Sequence, residues 1–293
     1  MKNFKGVFPA LLTPFTAEGK INETALARLI ERNIKAGVDG FYCCGSTAEV
    51  FMLPNEQRKE LMKLIADITN GRVTLIAHVG AVSTHECVDL AKSAYNLGYD
   101  AVSAVAPFYY KFSYDEIVAH YDAIASSTPL KCILYNIPAF SGVNFSAKQL
   151  GDILAGDNYL GLKNTALDCF TIETVKSHHP DKIVYNGYDE MFLSGITAGC
   201  DGGIGSTYNF MAEKYIKILN LYKESKMQEA LSVQHECNEI ITSLIKVGVM
   251  AGEKAILNLL GYDFGDCRLP FKSCDKEGYA LLEREVMPYI LAD

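Results

Sequence analysis

Short apolar runs recur along the 293-residue chain at a nearly constant interval, and this repeat limits the possible folds more than any other feature. The first run lies near residue 7 and the eighth near residue 201, so the seven steps average about 28 residues, close to the ~30 of a strand–helix–strand unit. The eight runs cover residues 6–12, 39–43, 73–79, 100–106, 131–135, 159–163, 183–186 and 201–205. The repeat predicts alternating strands and helices.

The composition of these runs and of the segments between them favours one arrangement of the sheet. The runs are continuously apolar, as parallel strands covered on both faces should be. The segments 22–36 and 55–70 carry apolar residues at helical spacing, with Asn22 as an N-cap and Gly37 and Gly71 as C-caps. Ser113 is placed to begin another helix. We therefore predict an α/β fold, a (β/α)8 TIM barrel with additional C-terminal helices. An open, doubly wound sheet is the alternative.

The end of the chain differs from the rest because its pattern becomes entirely helical after residue 205. Residues 230–249 form an amphipathic segment, and two shorter helical segments follow up to residue 290. No stretch rich in Pro, Gly or Ser separates this part from the repeat. We expect a single domain, 1–293, in which 1–224 form the barrel and 225–293 a helical extension packed on it.

Charge and cysteine usage exclude several classes of function. The chain has 27 Lys and Arg against 35 Asp and Glu, a formal net charge of −8, and no basic cluster longer than a doublet. This balance argues against nucleic-acid and membrane-surface partners and leaves a small-molecule substrate. The nine cysteines form no Cys-x-x-Cys pair, and the six histidines show no metal-ligand spacing. We expect free thiols and no metal.

The N-terminus superficially resembles a secretion signal, because Lys2 and Lys5 precede an apolar run. Pro9 and Pro14 interrupt that run, however, and no small-residue cleavage site follows. No stretch approaches the ~18 apolar residues of a membrane span. The sequence therefore predicts a cytoplasmic protein.

In such a barrel the chemistry lies where strands end and loops begin at the C-terminal face. The second strand runs into Gly-Ser-Thr-Ala-Glu at 45–49, where backbone N–H groups and the hydroxyls of Ser46 and Thr47 could bind a carboxylate or phosphate. An ordinary helix start fits the same residues. Tyr135 ends the fifth strand, where it is either a core residue or part of a site.

Lys163 is the most unusual residue in the pattern, because a cation closes the apolar sixth strand. Burial of a lysine disfavours its ammonium form, and the neutral amine is a nucleophile that can form a Schiff base with a carbonyl. The alternative is a surface lysine at the start of a loop. Asp189 and Glu190 follow the seventh strand, either as the first turn of a helix or as hydrogen-bond acceptors for a polyol.

Several of these motifs resemble those of one superfamily, the pyruvate-dependent class I aldolases that include dihydrodipicolinate synthases and N-acetylneuraminate lyases. The run 45–49 is similar to the superfamily's carboxylate motif, and Tyr-Asn-Ile-Pro at 135–138 to its tyrosine motif. The segments 185–190 and 201–209 resemble the N-acetylneuraminate lyase branch in particular. The resemblance begins at residue 6 and covers nearly the whole chain.

The resemblance implies an activity and a set of roles. Lys163 would form the Schiff base, Tyr135 would relay the proton, and Ser46 and Thr47 would hold the pyruvate carboxylate. Contacts to the sugar-derived part of the substrate would come from Thr165, Gly187, Asp189, Glu190 and Ser206. The implied reaction is the reversible cleavage of N-acetylneuraminate to pyruvate and N-acetylmannosamine, without a cofactor or metal. The resemblance also implies a homotetramer in which Tyr109 reaches a neighbouring subunit's site.

Two departures from the family pattern and three alternatives remain. The smaller departure is Asn164, which follows Lys163 at a position that varies in the family. Ala48 stands where the family usually has glycine, which puts the geometry of the carboxylate loop in doubt. A dihydrodipicolinate synthase would carry an arginine at the position of Phe140. A 2-keto-3-deoxy sugar acid aldolase should lack the Asp189–Glu190 pair. A ligand-binding barrel without turnover would not need the lysine, the tyrosine and the hydroxyl pair together.

Overall fold

The computed structural model describes residues 2–291, in which eight strands alternate with helices along the chain. The strands are β1 (Gly6–Pro9), β2 (Gly40–Cys43), β3 (Thr74–His78), β4 (Ala101–Val105), β5 (Cys132–Asn136), β6 (Tyr159–Asn164), β7 (Ile183–Asn186) and β8 (Gly202–Gly205). Each of the eight predicted runs coincides with one strand, although β5 and β6 extend one residue past their runs, to Asn136 and Asn164. The first run is longer than its strand, because β1 ends at Pro9 rather than at residue 12.

The eight strands form one parallel sheet in the order β1-β8-β7-β6-β5-β4-β3-β2. A parallel bridge between Ala10 and Tyr42, with the Leu11 N–H donating to the Tyr42 carbonyl at 3.0 Å, joins the two ends of this order. The (β/α)8 barrel is therefore confirmed, and the open sheet is wrong.

Helices follow the strands and continue beyond the barrel. They are α1 (Glu23–Ala36), α2 (Asn55–Thr69), α3 (Thr84–Asn96), α4 (Tyr114–Ala125), α5 (Pro138–Ser141), α6 (Ala147–Leu154), α7 (Cys169–His178), α8 (Phe192–Thr197), α9 (Tyr208–Lys223), α10 (Met227–Val247), α11 (Val249–Leu259), α12 (Lys276–Glu285) and α13 (Met287–Leu291). Short 3₁₀ turns cover Ser46–Ala48, Val50–Met52 and Asp189–Met191. Within the described residues no helix is long and apolar enough to cross a membrane.

Most of the predicted helix ends are confirmed. Asn22 caps α1 by accepting from the Ala25 N–H, Gly37 ends that helix in the left-handed conformation, and Ser113 caps α4. The prediction of Gly71 as the C-cap of α2 is wrong. Asn70 takes that position at φ 46° and donates its N–H to the Ala66 carbonyl, because asparagine tolerates the left-handed region better than most residues.

Two apolar layers surround the barrel wall, and together they position the ends of the strands. One large cluster joins the outward side chains of the strands to the helices. A smaller cluster fills the barrel interior with inward side chains, among them Phe8, Tyr42, Ile133, Tyr135 and Tyr185. The interior is therefore packed rather than open, and the space for a ligand at this barrel lies above the packed interior, at the mouth.

The C-terminal helices contribute to that mouth. α9 ends at Lys223, next to the predicted end of the barrel at residue 224, and α10 packs against it. Three shorter helices follow α10 rather than the two that were predicted. All nine cysteines are free, as expected. The division into 1–224 and 225–293 within one domain stays a prediction.

Candidate active site

A cavity of about 600 Å³ opens at the C-terminal ends of the strands. Nine of the ten predicted site residues line it: Ser46, Thr47, Tyr135, Lys163, Thr165, Gly187, Asp189, Glu190 and Ser206. Tyr109 does not line the cavity; its side chain is 87% exposed and its backbone has φ 78°. The structure thus brings together residues that are up to 160 positions apart, while the individual roles of these residues stay predictions.

Lys163 and Tyr135 meet because β5 and β6 pair in a register that sets them side by side. Both side chains point inward, and Lys163 is only 5% exposed. Its Nζ lies 4.1 Å from the centre of the Tyr135 ring and 4.5 Å from that of Tyr42. No ion pair among residues 2–291 involves Lys163. The amine therefore lies on aromatic faces rather than against a carboxylate, and it faces the cavity.

Tyr42 and His78 lie beneath this pair and form the floor of the cavity, and neither was predicted from the sequence. The Tyr42 hydroxyl donates to Ser103 Oγ at 3.1 Å. His78 Nδ1 lies 3.0 Å from the Cys44 carbonyl, and the Val105 N–H donates to His78 Nε2 at 3.3 Å, so Nδ1 carries the proton. Burial lowers the pKa of His78 to about 3. The ring is therefore neutral and holds the floor in place rather than transferring protons.

The carboxylate loop, residues 45–49, folds as a 3₁₀ turn with its two hydroxyl residues only partly buried. Ala48 is buried, and its carbonyl accepts from Thr13 Oγ1 at 3.1 Å. The left-handed position of the loop is Glu49, at φ 58°. Because Ala48 itself does not take a left-handed conformation, alanine in place of glycine leaves this turn unstrained.

Behind the carboxylate loop, Glu49 anchors it to the C-terminal helices. Its Oε1 lies 2.6 Å from the Nζ of Lys254 on α11, and both side chains are almost fully buried. Its Oε2 accepts from the backbone N–H of Arg268 at 2.6 Å. Lys254 Nζ also donates to the Asp266 carbonyl at 3.0 Å. A buried charge pair with extra hydrogen bonds of this kind fixes the position of the loop.

Across the cavity, Asp189 is less free than its predicted role requires. Its Oδ2 accepts from the Thr207 N–H at 2.9 Å and from Thr207 Oγ1 at 2.7 Å. Burial raises the pKa of Asp189 to about 6, although the two hydrogen bonds from Thr207 act in the opposite direction and lower it. A Cβ at Gly205 would lie 1.9 Å from Oδ1, so only glycine allows this approach. Asp189 therefore links the loop after β7 to the loop after β8, and it also lines the cavity.

Two amides on α10 hold the same segment from outside. Gln234 Nε2 donates to the Asp189 carbonyl at 3.1 Å, and the Leu193 N–H donates to Gln234 Oε1 at 3.0 Å. Asn238 Nδ2 donates to the Glu190 carbonyl at 3.2 Å. Neither amide was predicted, since nothing in the helical pattern of α10 distinguishes a residue that clamps a distant loop from a solvated one.

Thr165 and Gly187 lie against each other at the exits of β6 and β7. A Cβ at Gly187 would lie 1.9 Å from Thr165 Oγ1, which explains the glycine. That hydroxyl is buried and has no hydrogen-bond partner among the described residues. Buried polar groups normally have one. Thr165 Oγ1 is therefore available to a ligand oxygen in the cavity.

The outer part of the cavity is apolar. Phe51 and Phe108 stack edge to face with ring centres 4.8 Å apart, and Ile245 and Val249 contribute from α10 and α11. Phe140 lines the same part and is 75% exposed. The arginine expected there in a dihydrodipicolinate synthase is absent, so this position offers no cation to a second carboxylate.

Comparison with known proteins gives similar sequences and similar structures. The sequence profile of the dihydrodipicolinate synthetase family matches residues 3–287. An N-acetylneuraminate lyase of Citrobacter koseri is 44% identical over 278 residues, which are 94% of this chain and 94% of that protein. A Clostridium difficile protein solved in complex with mannosamine has a TM-score of 0.95 and 39% identity, and covers 98% of this chain and 99% of its own.

A third relative was solved with a different ligand. The N-acetylneuraminate lyase of Fusobacterium nucleatum, complexed with pyruvate, has a TM-score of 0.91 and 39% identity, and covers 96% of this chain and 97% of its own. The family profile and these identities extend over almost the whole chain. The chain therefore belongs to the dihydrodipicolinate synthetase family.

Proposed function

We propose that the chain is a class I aldolase that reversibly cleaves N-acetylneuraminate to pyruvate and N-acetylmannosamine. The observation that carries the proposal is the Lys163 amine, buried at the mouth of the barrel beside Tyr135 and without a carboxylate partner among the described residues. Relatives that are N-acetylneuraminate lyases by name, at 44% identity, support the choice of substrate. Solved relatives with mannosamine and with pyruvate support the two halves of the reaction.

The reaction begins with a covalent bond to substrate. Lys163 Nζ adds to the C2 carbonyl of the open-chain sugar acid, and water leaves to give a protonated imine. The hydroxyl groups of Ser46 and Thr47, together with backbone N–H groups of their turn, hold the adjacent carboxylate. The imine accepts electrons as an organic cofactor would, so the reaction needs no metal.

Bond cleavage follows from the imine. Tyr135, as the phenolate, accepts the proton of the C4 hydroxyl, directly or through the substrate carboxylate. The C3–C4 electron pair then moves into the imine, which leaves an enamine of pyruvate and an aldehyde, N-acetylmannosamine. A proton added at C3 and hydrolysis of the imine release pyruvate and restore Lys163. Reversal of the same steps is an aldol synthesis.

Recognition of the sugar is assigned to the exits of β6, β7 and β8. Thr165 Oγ1 offers an unpartnered hydroxyl, Glu190 offers a partly exposed carboxylate, and Ser206 offers a hydroxyl beside them. Carboxylates and hydroxyls suit a neutral polyol. A dihydrodipicolinate synthase would instead have to accept an anionic aldehyde here. The Phe140 side chain, which offers no positive charge, and the carboxylates both disfavour that substrate.

We further infer a homotetrameric assembly and a cytoplasmic location from the family resemblance. The exposed Tyr109 side chain, with its left-handed backbone, is consistent with a residue that reaches out of its own subunit. Sedimentation of the purified protein measures the assembly directly. A Tyr109→Ala variant that sediments as the same oligomer as the unaltered protein but loses turnover supports the contribution of Tyr109 to a neighbouring site.

The experiment that tests the function is reductive trapping. Borohydride added with pyruvate should alkylate Lys163 and no other lysine, because only that amine lies in the cavity beside the carboxylate loop. Mass spectrometry of the tryptic peptides locates the adduct. Lys163→Ala should form no adduct and should not cleave N-acetylneuraminate. An adduct on another lysine, or cleavage by the alanine variant, contradicts the aldolase assignment.

A further inference from the structure

Glu253 is a fully buried acid on the helix that covers one side of the cavity. It lies on α11 (Val249–Leu259), four residues after Val249 and three after Met250, both of which line the cavity. Side chains at these spacings share one face of an α-helix. Glu253 therefore points toward the same side as the lining residues, one turn further in, where its side chain is 0% exposed.

The carboxyl group of Glu253 lacks the partners that such a group normally has. Neither oxygen has a hydrogen-bond partner among the described residues. Its polar neighbour is the side chain of Ser206, which lines the cavity directly after β8 and lowers the pKa of Glu253, against the effect of burial. An unpartnered carboxyl in the interior is costly, so packing alone does not account for this residue.

The charges around Glu253 decide its protonation. Burial, and then the nearby carboxylate of Asp189, raise the pKa of Glu253 to about 8, so that the acid is neutral at neutral pH. From the C-terminal loop, the thiol of Cys267 faces it with a pKa raised to about 12 by burial. On its own helix, Lys254 is paired with Glu49. Between pH 7 and 9, Glu253 is therefore the group in this cluster that changes charge.

We propose that Glu253 is a positioning residue for substrate recognition: its neutral carboxyl donates a hydrogen bond to Ser206 Oγ and so directs the Ser206 hydroxyl hydrogen to an oxygen of the polyol. The assignment rests on the proposed function. When Glu253 is ionised, the direction of the hydrogen bond between Glu253 and Ser206 reverses, because a carboxylate can only accept hydrogen bonds. The Ser206 hydroxyl then donates its hydrogen to Glu253 and is no longer available as a donor to the substrate.

Two variants separate this role from a structural one. Glu253→Leu keeps the volume but removes the donor, and Glu253→Gln keeps a donor that cannot ionise. Glu239→Gln, an exposed acid on α10, is the matched control. The kcat and KM for N-acetylneuraminate are measured from pH 6 to 9, together with borohydride trapping of pyruvate and the thermal midpoint of each protein.

The expected results differ among the variants. Glu253→Leu should raise KM roughly 3–10-fold at pH 7, the usual worth of one hydrogen bond, with trapping unchanged and an equal or higher thermal midpoint. For the unaltered protein KM should rise above pH 8. Glu253→Gln should stay near the unaltered KM at pH 7 and should not show that rise. Glu239→Gln should behave as the unaltered protein at every pH.

Other results distinguish a failure of this assignment from a failure of the function. If the unaltered protein neither traps pyruvate nor cleaves the substrate, the proposed function is wrong and this role falls with it. If it does both, but Glu253→Leu keeps the same KM and the same pH profile, the function stands and the positioning role is wrong. Equal loss of trapping and cleavage in Glu253→Leu also contradicts the role, since it points to a disturbed barrel.

Discussion

The two ends of the cavity handle buried charge in opposite ways. At the pyruvate end the carboxylate of Glu49 has a cation, Lys254 Nζ, at 2.6 Å. At the sugar end Asp189 and Glu253 are also buried but form no ion pair in the described part of the chain, and burial raises their pKa values to about 6 and about 8. The pyruvate end is therefore held by a paired charge, while hydrogen bonding at the sugar end changes with protonation.

This difference matches what each end has to do. Every substrate of the proposed reaction presents the same keto acid to Lys163, so a rigid, charge-paired loop serves all of them. The aldehyde part varies between substrates and is recognised through hydroxyl groups. A site that forms hydrogen bonds to substrate hydroxyls discriminates more strongly against substrates lacking those hydroxyls than a site made of apolar contacts does. Changes at the pyruvate end should therefore alter turnover of all substrates, and changes at the sugar end should alter the choice among them.

The largest effect is expected at the pyruvate end, from Tyr135→Phe. Loss of the phenol should lower turnover roughly 10²–10⁴-fold, the usual worth of a positioned acid–base group, while the pyruvate imine still forms on Lys163. Steady-state kinetics and borohydride trapping on the same preparation measure both. Turnover within a few-fold of the unaltered enzyme would assign the proton relay to another group.

A large effect on stability should come from Lys254→Met, which leaves the Glu49 carboxylate buried without its cation. Breaking such a pair typically costs about 3–5 kcal/mol in the free energy of unfolding, which urea denaturation measures. KM for pyruvate in the synthetic direction should rise as well. Lys246→Met removes a surface pair with Glu285 and is the control, expected to cost far less than Lys254→Met because solvent screens that pair. Equal costs for both variants would show that the buried pair does not anchor the loop.

The smallest effect is expected from Glu190→Gln at the sugar end. The amide keeps one acceptor oxygen but loses the charge, so KM for N-acetylneuraminate should rise roughly 3–10-fold. The yield of pyruvate trapped on Lys163 should not change, because the pyruvate end is untouched. A loss of pyruvate trapping as large as the change in KM would mean that the sugar end and the pyruvate end of the cavity do not act separately.

The fold could be predicted because its signals are local. Continuous apolar runs, helical spacing and cap residues such as Asn22 and Ser113 each act over a few positions, and their repeat specifies the barrel. Lys163 was found because a cation at the end of an apolar strand breaks that strand's pattern. Tyr42 and His78 were missed because inward residues in the middle of a site look like core residues of any strand.

The contacts of the C-terminal helices could not be predicted for a different reason. Glu253 and Lys254 interact with partners 47 and 205 positions away in the sequence, and helical periodicity says only which face is apolar. One signal was available, since two adjacent charges interrupt the apolar α11. Gly71 was misjudged because its neighbour Asn70 can also adopt the left-handed conformation that ends α2.

The adjacency of Glu253 and Lys254 has a consequence for altering this protein. One turn of α11 reaches both ends of the cavity, through Ser206 on one side and Glu49 on the other. An insertion or deletion near Gly248, which joins α10 to α11, would rotate both contacts by the same angle. Substrate range and pyruvate affinity then cannot be changed separately by shifting the whole helix, whereas single substitutions on it, or in the loops that follow β7 and β8, can leave the keto-acid end in place.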